Sequence, residues 1–116
     1  MFNEINLYVD DLRRCPDGFV VARNYDEAIQ LLSNNKINIL SLDHDLGLDE
    51  NRVEKNGYDI VKYICEHCIS PNKIYIHTDS VVGRGNMYHT LIGARNRGFI
   101  SSSTEIYMHG YVENRI

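Results

Sequence analysis

Three ionisable side chains stand together in the segment SLDHDLG (41–47), directly after the apolar run INIL (37–40). Asp43 and Asp45 flank His44 there, at the point where a predicted buried strand ends. Carboxylate oxygens are the ligands that Mg²⁺ prefers, and an imidazole exchanges protons near neutral pH. This spacing therefore predicts metal binding or acid–base chemistry at the end of the strand.

A second pair of carboxylates, Asp10 and Asp11, follows the first apolar run of the chain, INLYV (5–9). Parallel strands end at the same edge of a sheet, so the two acidic groups meet if their strands are neighbours, about 4.8 Å apart. Three or four carboxylates so close cannot all stay ionised without a cation. We therefore expect these acids to bind Mg²⁺ together with Asp43 and Asp45. The alternative is that each acid merely ends a strand or caps the next element.

Two histidines lie at the same predicted edge of the sheet. His44 sits among the acids, and His77 ends the fourth predicted strand beside Thr78. An imidazole on either side of a metal-held phosphate would suit general acid–base catalysis. Each histidine could instead be structural, bonded to a backbone carbonyl. The remaining histidines are predicted to be structural or at the surface: His67, His89 and His109.

Two arginines are candidates for binding a phosphate. The segment GRGN (83–86) is predicted to open the third helix, where free backbone amides attract anions, and Arg84 could add a two-pronged contact. Arg13, three residues after Asp10, is the second candidate. The alternatives are a simple glycine turn and a solvated arginine.

The apolar pattern predicts strands that alternate with helices, as is typical of an α/β domain with a mainly parallel sheet. Only residues 10–17 separate the first two strands, whereas a parallel crossover usually needs about a dozen residues or more. We therefore expect the first crossover helix to be short or missing. The predicted strands are 5–9, 18–22, 37–42, 73–78 and 104–109, and the predicted helices are 24–35, 58–68 and 86–98.

Length, charge and cysteine usage narrow the class of protein. The 116 residues suffice for one domain over 1–116, and a net charge of −4 with scattered basic residues argues against general nucleic-acid binding. A small phosphorylated ligand stays open as a partner. Because there is no run long enough to span a membrane and no signal-peptide pattern, we expect a cytoplasmic protein without membrane contact. Three cysteines fit a reducing compartment, and Cys65 and Cys68 are predicted to fill the core.

The acids and one hydroxyl residue resemble the receiver domains of response regulators. That resemblance implies that the acids bind Mg²⁺, that a phosphoryl group is accepted at the end of the third strand, and that the hydroxyl residue senses it. The matching positions are Asp10, Asp11, Asp43 as phosphoacceptor, Thr78, and Asp45 as the residue whose backbone carbonyl ligates the metal. Receivers also carry a Lys after the fifth strand and a last helix, and this chain has no such Lys and no residues left for that helix.

A more specific resemblance is to the receiver-derived family of cyclic-phosphate processing receiver domains. It runs from about Leu7 to Ile92, and LDHDLG is its most specific part. The segments that carry it are DDLRRCP (10–16), SLDHDLG (41–47), GYDIV (57–61), HTDS (77–80) and GRGNM (83–87).

This resemblance implies a site that processes cyclic phosphate esters with Mg²⁺ or Mn²⁺. On that basis His44 and His77 would pass protons to and from the reacting oxygens, beside the metal at Asp43. Candidate substrates are 2′,3′-cyclic nucleotides and RNA ends that carry such a phosphate. The residues expected to orient the phosphate are Arg13, Thr78 and Arg84, with Ser80 at a position where the family makes a polar contact.

The predicted fold is a receiver-like, flavodoxin-like doubly wound domain with a mainly parallel five-stranded sheet and no C-terminal helix. Two other functions stay open beside hydrolysis: a switch phosphorylated on Asp43, and a non-catalytic interaction module that kept its acids by ancestry. A sheet without its covering helix leaves apolar surface exposed, so we also expect a homodimer.

Overall fold

A computed structural model describes residues 3–48 and 51–112 of the chain. In chain order its elements are β1 (Glu4–Val9), β2 (Phe19–Ala22), α1 (Tyr25–Asn34), β3 (Lys36–Leu42), β4 (Asp45–Leu48), β5 (Glu54–Asn56), α2 (Gly57–Glu66), β6 (Lys73–Ile76), α3 (Val81–Asn96) and β7 (Glu105–Tyr107).

Five strands form one parallel sheet in the order β2-β1-β3-β6-β7, which confirms the predicted receiver-like α/β fold. β1 and β3 are neighbours, as the convergence of the two acidic groups requires. Residues 10–18, between β1 and β2, contain no helix, so the predicted loss of the first crossover helix is also confirmed. β4 and β5 form a separate antiparallel hairpin, and neither strand was predicted because neither carries an apolar run.

All three helices lie on one face of the sheet, so the expected doubly wound arrangement, with helices on both faces, is not seen in the described residues. Each of the crossovers β2 to β3, β3 to β6 and β6 to β7 runs in the same direction across the sheet, and right-handed crossovers then place every helix on the same side. Contacts of α2 with both α1 and α3 agree with this arrangement. The core between helices and sheet is built from alternate strand residues and the facing helix residues, among them Leu7, Leu40, Ile74, Ile60 and Leu91.

Aromatic side chains occupy the opposite face of the sheet, where the described residues place no helix. The rings of Tyr75 and Tyr107 stack with their centres 4.8 Å apart. Tyr111, beyond the last strand, contacts Phe19 at 4.9 Å and Tyr75 at 5.5 Å between ring centres. The segment after β7 therefore runs back across this face and covers part of it.

The beginnings of two helices agree with the sequence pattern. Asn24 caps α1 by accepting a hydrogen bond from the Glu27 amide at 2.9 Å. Asn56 and Asp59 form a reciprocal capping box at the start of α2. No described helix is both long and apolar enough to span a bilayer.

The third helix starts earlier than predicted. The GRGN segment does not open α3. The helix begins at Val81, five residues before the predicted start at 86, and Ser80 caps it by accepting a hydrogen bond from the Gly83 amide at 3.1 Å. Position 83 inside the helix requires a glycine, because a Cβ there would lie 2.5 Å from the ring carbon Cδ2 of His44. The proposed anion site at the amides of 83–86 is therefore wrong.

Candidate metal and phosphate site

The strand ends bring two carboxylates and an imidazole to one place. The Asp43 amide donates to the Val9 carbonyl at 2.9 Å, and the His77 amide donates to the Leu42 carbonyl at 2.8 Å, so Asp10, Asp43 and His77 leave the sheet at the same level. Each of these three offers one possible ligand atom, and these atoms all lie within 4.8 Å of one another. Asp10 is 1% exposed and Asp43 7% exposed. This group is called the acidic cluster below.

The acidic cluster has the chemistry and spacing of a divalent-cation site. Bonds of about 2.0–2.1 Å to Mg²⁺ place neighbouring ligand atoms about 3 Å apart and opposite ones about 4.2 Å apart. Asp10 Oδ2 and His77 Nε2 are 3.0 Å apart, and all three possible ligand atoms lie within 4.8 Å of one another. The oxygens of Asp10 and Asp43 could hold Mg²⁺ or Mn²⁺, and His77 Nε2 lies close enough to be a third ligand.

Two of the acids predicted as ligands lie apart from this group. The Asp45 side chain is 78% exposed, and its Oδ1 lies 3.0 Å from His44 Nδ1. A Cβ on Gly47 would lie 3.9 Å from Asp11 Oδ2, so the Asp11 carboxylate faces the β4 segment. Neither carboxylate is among the atoms that meet within 4.8 Å, whereas His77, predicted only as a proton shuttle, is.

Asp10 is held as a carboxylate. Burial opposes its ionisation, but the backbone amides of Arg13 and Leu12 each donate to Oδ1 at 2.8 Å, and His77 binds Oδ2. Together these contacts outweigh burial and lower the pKa of Asp10 below its ordinary value.

Asp43 is shifted in the opposite direction. Burial and the nearby charge of Asp10 raise its pKa, and hydrogen bonds from the His44 amide and the Thr78 hydroxyl offset this only in part. The His44 amide reaches Oδ1 at 2.7 Å. Two buried carboxylates with opposed pKa shifts make a site in which a cation would relieve the repulsion between them.

His77 is fixed on three sides. Nε2 faces Asp10, and Nδ1 lies 2.6 Å from the hydroxyl of Ser41, which is completely buried. The ring stacks on Tyr8 with centres 4.4 Å apart and planes 3° from parallel. Burial lowers the pKa of His77 although Asp10 opposes this, so the neutral imidazole is favoured. Sequence reasoning missed Ser41 and Tyr8. Ser41 lies two residues before Asp43, and Tyr8 two residues before Asp10, so each shares a strand face with the acid that follows it.

Arg13 lies at the rim of the acidic cluster. Its guanidinium donates to the His77 carbonyl at 2.9 Å and to Asp79 at 2.8 Å, and lies 3.6 Å from Asp10 Oδ2. The Arg13 side chain is partly exposed and Asp79 almost fully so, which leaves the guanidinium able to exchange that partner for a phosphate. Arg13 is thus where a phosphate-binding residue was expected, and Asp79 was missed.

The other predicted phosphate residues have local partners. The Thr78 hydroxyl accepts from the Ser80 amide at 3.2 Å, and Thr78 also bonds to Asp43. The Ser80 side chain caps α3. Arg84 makes a long contact of 3.5 Å to the Thr78 carbonyl. Thr78 therefore contacts the acidic cluster through Asp43, whereas the side chain of Ser80 has a structural role as the cap of α3.

His44 does not face His77. Its ring is wedged against Gly83 of α3, with Nδ1 at Asp45, and it lines a groove between α2 and α3. The two imidazoles therefore leave the strand ends on different sides of Asp43. Of the remaining predictions, His67, His89 and His109 are exposed as expected.

The predicted core role of the two nearby cysteines is half right. Cys65 packs against the core, but Cys68 is exposed. The cause is that α2 ends at Glu66, and Cys68 has a φ of 53°, so the helical stripe no longer applies at its position.

The family comparison agrees with the fold. A family model described as cyclic-phosphate processing receiver domain matches residues 5–93. Searches among curated proteins and among solved structures found no match. The matched part runs from within β1 to within α3 and includes every residue of the acidic cluster. The chain therefore belongs to the family of cyclic-phosphate processing receiver domains.

Proposed function

We propose that the protein hydrolyses cyclic phosphate esters with the help of a divalent cation. The observation that carries this is the buried acidic cluster of Asp10, Asp43 and His77, whose ligand atoms lie within 4.8 Å, with Arg13 at its rim. Family membership supports the cyclic-phosphate part of the proposal, and the hydrolytic chemistry is inferred from the residues.

In this proposal Asp10 and Asp43 hold Mg²⁺ or Mn²⁺. A bound ion would neutralise the two carboxylates and act as a Lewis acid towards the phosphate. Arg13 is placed to bind a non-bridging phosphate oxygen after releasing Asp79, because guanidinium N–H groups match phosphate geometry. Thr78, bonded to Asp43, keeps that carboxylate oriented.

The two imidazoles would divide the proton transfers. A water oxygen forms a bond to phosphorus while one ester P–O bond of the ring breaks. With Asp10 Oδ2 turned to the cation, Nε2 of the neutral His77 would take the proton from the water while its Nδ1–H donates to Ser41, and Asp10 would stabilise the resulting imidazolium. His44 gives a proton to the departing alkoxide, so the products are one phosphomonoester with a free hydroxyl. Positions on different sides of Asp43 suit attack and departure on opposite sides of phosphorus.

A hydrolysis assay tests this proposal. The wild type, His44→Ala and His77→Ala are incubated with cyclic phosphodiesters and Mn²⁺ or Mg²⁺, with EDTA as the metal-free control. We expect metal-dependent ring opening by the wild type and a loss of about 10²–10⁴-fold in each variant. His67→Ala, at an exposed histidine outside the site, is the matched control. If both variants match the wild type, the assigned proton transfers are wrong.

A phosphorylated switch is the second candidate, favoured by the hydrogen bond between Thr78 and Asp43. Against it, the chain has no Lys after Lys73 that could pair with an aspartyl phosphate. Incubation with acetyl phosphate and Mg²⁺ followed by intact mass measurement separates the two functions. A stable phosphoryl adduct that Asp43→Asn abolishes would support the switch.

A further inference from the structure

A polar groove lies beside the acidic cluster. It has a volume of about 490 Å³, within the range of small-molecule sites, and runs between α2 and α3. Its lining residues come from the turn after β3, the end of β5 with the start of α2, and the middle of α3: His44, Asn56, Tyr58, Asn86, His89 and Thr90.

The groove begins one residue away from Asp43. The Gly57 amide donates to the His44 carbonyl at 2.7 Å, and a Cβ on Gly57 would lie 2.1 Å from the Asp43 carbonyl oxygen. The first turn of α2 is therefore pressed against the backbone of Asp43 and His44. A ligand whose phosphate lies at the acidic cluster can extend past His44 into the groove.

The chemistry of the lining is that of a neutral, hydrogen-bonding ligand. No carboxylate and no Lys or Arg is among the lining residues, which offer imidazole, carboxamide, hydroxyl and phenol groups. Thr90 donates to the Tyr58 hydroxyl at 3.2 Å and so ties the two helices together. Sugar hydroxyls and the edge of a heteroaromatic base match these donors and acceptors.

The span between two residues of α3 at the groove is comparable with the length of one nucleoside. Gly83 contacts the His44 ring, and His89 follows six residues later on α3, about 9 Å further along the helix axis. A longer RNA would need basic residues to neutralise its additional phosphates, and the lining supplies none.

We propose that this groove binds the nucleoside of a cyclic mononucleotide whose phosphate lies at the acidic cluster, with Asn86 and His89 selecting the nucleoside. This inference rests on the proposed function, because it takes the phosphate position from it. The inference names a cyclic mononucleotide as the substrate and excludes both a small cyclic ester without a nucleoside and the end of an RNA chain.

Binding measurements with two probes test the inference. Adenosine 2′,3′-cyclic phosphate and ethylene cyclic phosphate are titrated into ¹⁵N-labelled protein with Mg²⁺, and amide shifts and affinities are recorded. We expect both probes to shift Asp10 and Asp43, and only the nucleotide to shift Tyr58 and His89. The nucleotide should bind at least about tenfold more tightly, because it alone makes the groove's hydrogen bonds.

Variants and a third probe make the test decisive. His89→Ala should lower the affinity ratio of nucleotide to ethylene phosphate about tenfold, whereas the ratio for His67→Ala should equal that of the wild type. Equal affinities with unmoved groove amides would overturn the inference and leave the proposed function intact. Binding of neither probe would overturn both. A short RNA with a 2′,3′-cyclic end that binds far more tightly than the mononucleotide would overturn the single-nucleotide assignment.

Discussion

At the residue scale, the site depends on two buried carboxylates that the fold treats differently. Hydrogen bonds overcome burial at Asp10 and lower its pKa, whereas burial and the charge of Asp10 raise the pKa of Asp43. Without a cation, Asp43 is therefore a source of instability at neutral pH, and the same property makes it a responsive metal ligand.

Asp43→Asn should stabilise the protein in EDTA and abolish its response to metal. Removing the repelled charge at pH 7 should raise the free energy of unfolding by about 1 kcal/mol, or Tm by about 4 °C. In the wild type, Mg²⁺ at about ten times its Kd should add about 1.4 kcal/mol, and the variant should lose this gain. Thermal unfolding with and without Mg²⁺ measures both effects.

Asp45→Asn is the matched control, because this exposed carboxylate lies outside the acidic cluster. It should keep the metal-dependent rise in Tm. Loss of that rise in Asp45→Asn, with retention in Asp43→Asn, would move the metal site to the residues first expected from the sequence.

His77 should make stability depend on pH below about 6.5, the ordinary pKa of a histidine. Burial lowers its pKa in the folded state, so the unfolded chain binds the proton more readily below the ordinary value of about 6.5. Stability should therefore rise with pH up to about 6.5 and then level off, with a slope of at most about 1.4 kcal/mol per pH unit. Urea unfolding in EDTA at several pH values should show a smaller slope for His77→Gln than for the wild type. An identical slope would contradict a buried neutral His77.

The sequence was informative about this site only where strand order decides the geometry. Asp10, Asp43 and His77 each follow an apolar run, and the parallel register brings such positions together. The exposed placement of Asp45 depends on its pairing with Asn56 in the β4–β5 hairpin, which has no apolar signature. Its contact with His44 could not be read from spacing.

At the element scale, close packing at glycines positions the site. Gly57 of α2 and Gly83 of α3 both lie against the segment that carries Asp43 and His44. The sequence pattern placed α1 and α2 well because each has an apolar stripe at helical spacing, and the structure adds an Asn cap at the start of each. It misplaced the start of α3 because a pair of glycines usually indicates a turn. Here Gly83 is inside the helix because the His44 ring packs against it.

Gly57→Ala should be strongly destabilising. The added Cβ would lie 2.1 Å from the Asp43 carbonyl oxygen and 2.8 Å from Met87 Cε, so the backbone of α2 must move away from the site. We expect a loss of about 2–3 kcal/mol, comparable with overpacking elsewhere, together with weaker metal binding. Urea unfolding and metal titration measure the two effects.

Gly93→Ala provides the comparison within α3. Nothing lies within 4 Å of a Cβ at this position, so the variant should gain up to about 1 kcal/mol from helix propensity alone. A similar loss in both variants would mean that steric contact at Gly57 is not the cause.

At the scale of the whole molecule, the fold has helices on one face of the sheet and an aromatic surface on the other. The expectation of a homodimer assumed that this second face was bare, but Tyr111 contacts Phe19 and Tyr75 there. Homodimerisation stays a prediction, which sedimentation over a range of protein concentrations can test. The sequence could not foresee this cover, because the segment after β7 has neither helical nor strand periodicity.

Tyr111→Ala should reveal how much stability this covering segment contributes. Its half-buried ring makes two aromatic contacts, each worth about 0.5–1.5 kcal/mol, so we expect a loss of about 1–2 kcal/mol and a fall in Tm of about 4–8 °C. Val112→Ala, one residue further and largely exposed, should leave Tm unchanged.

Gly110 lies next to His77, where a Cβ would meet that side chain at 3.1 Å, so loosening the segment should also expose the imidazole. We therefore expect Tyr111→Ala to reduce the pH slope assigned to His77, and an unchanged slope with lowered Tm would separate the cover from the site.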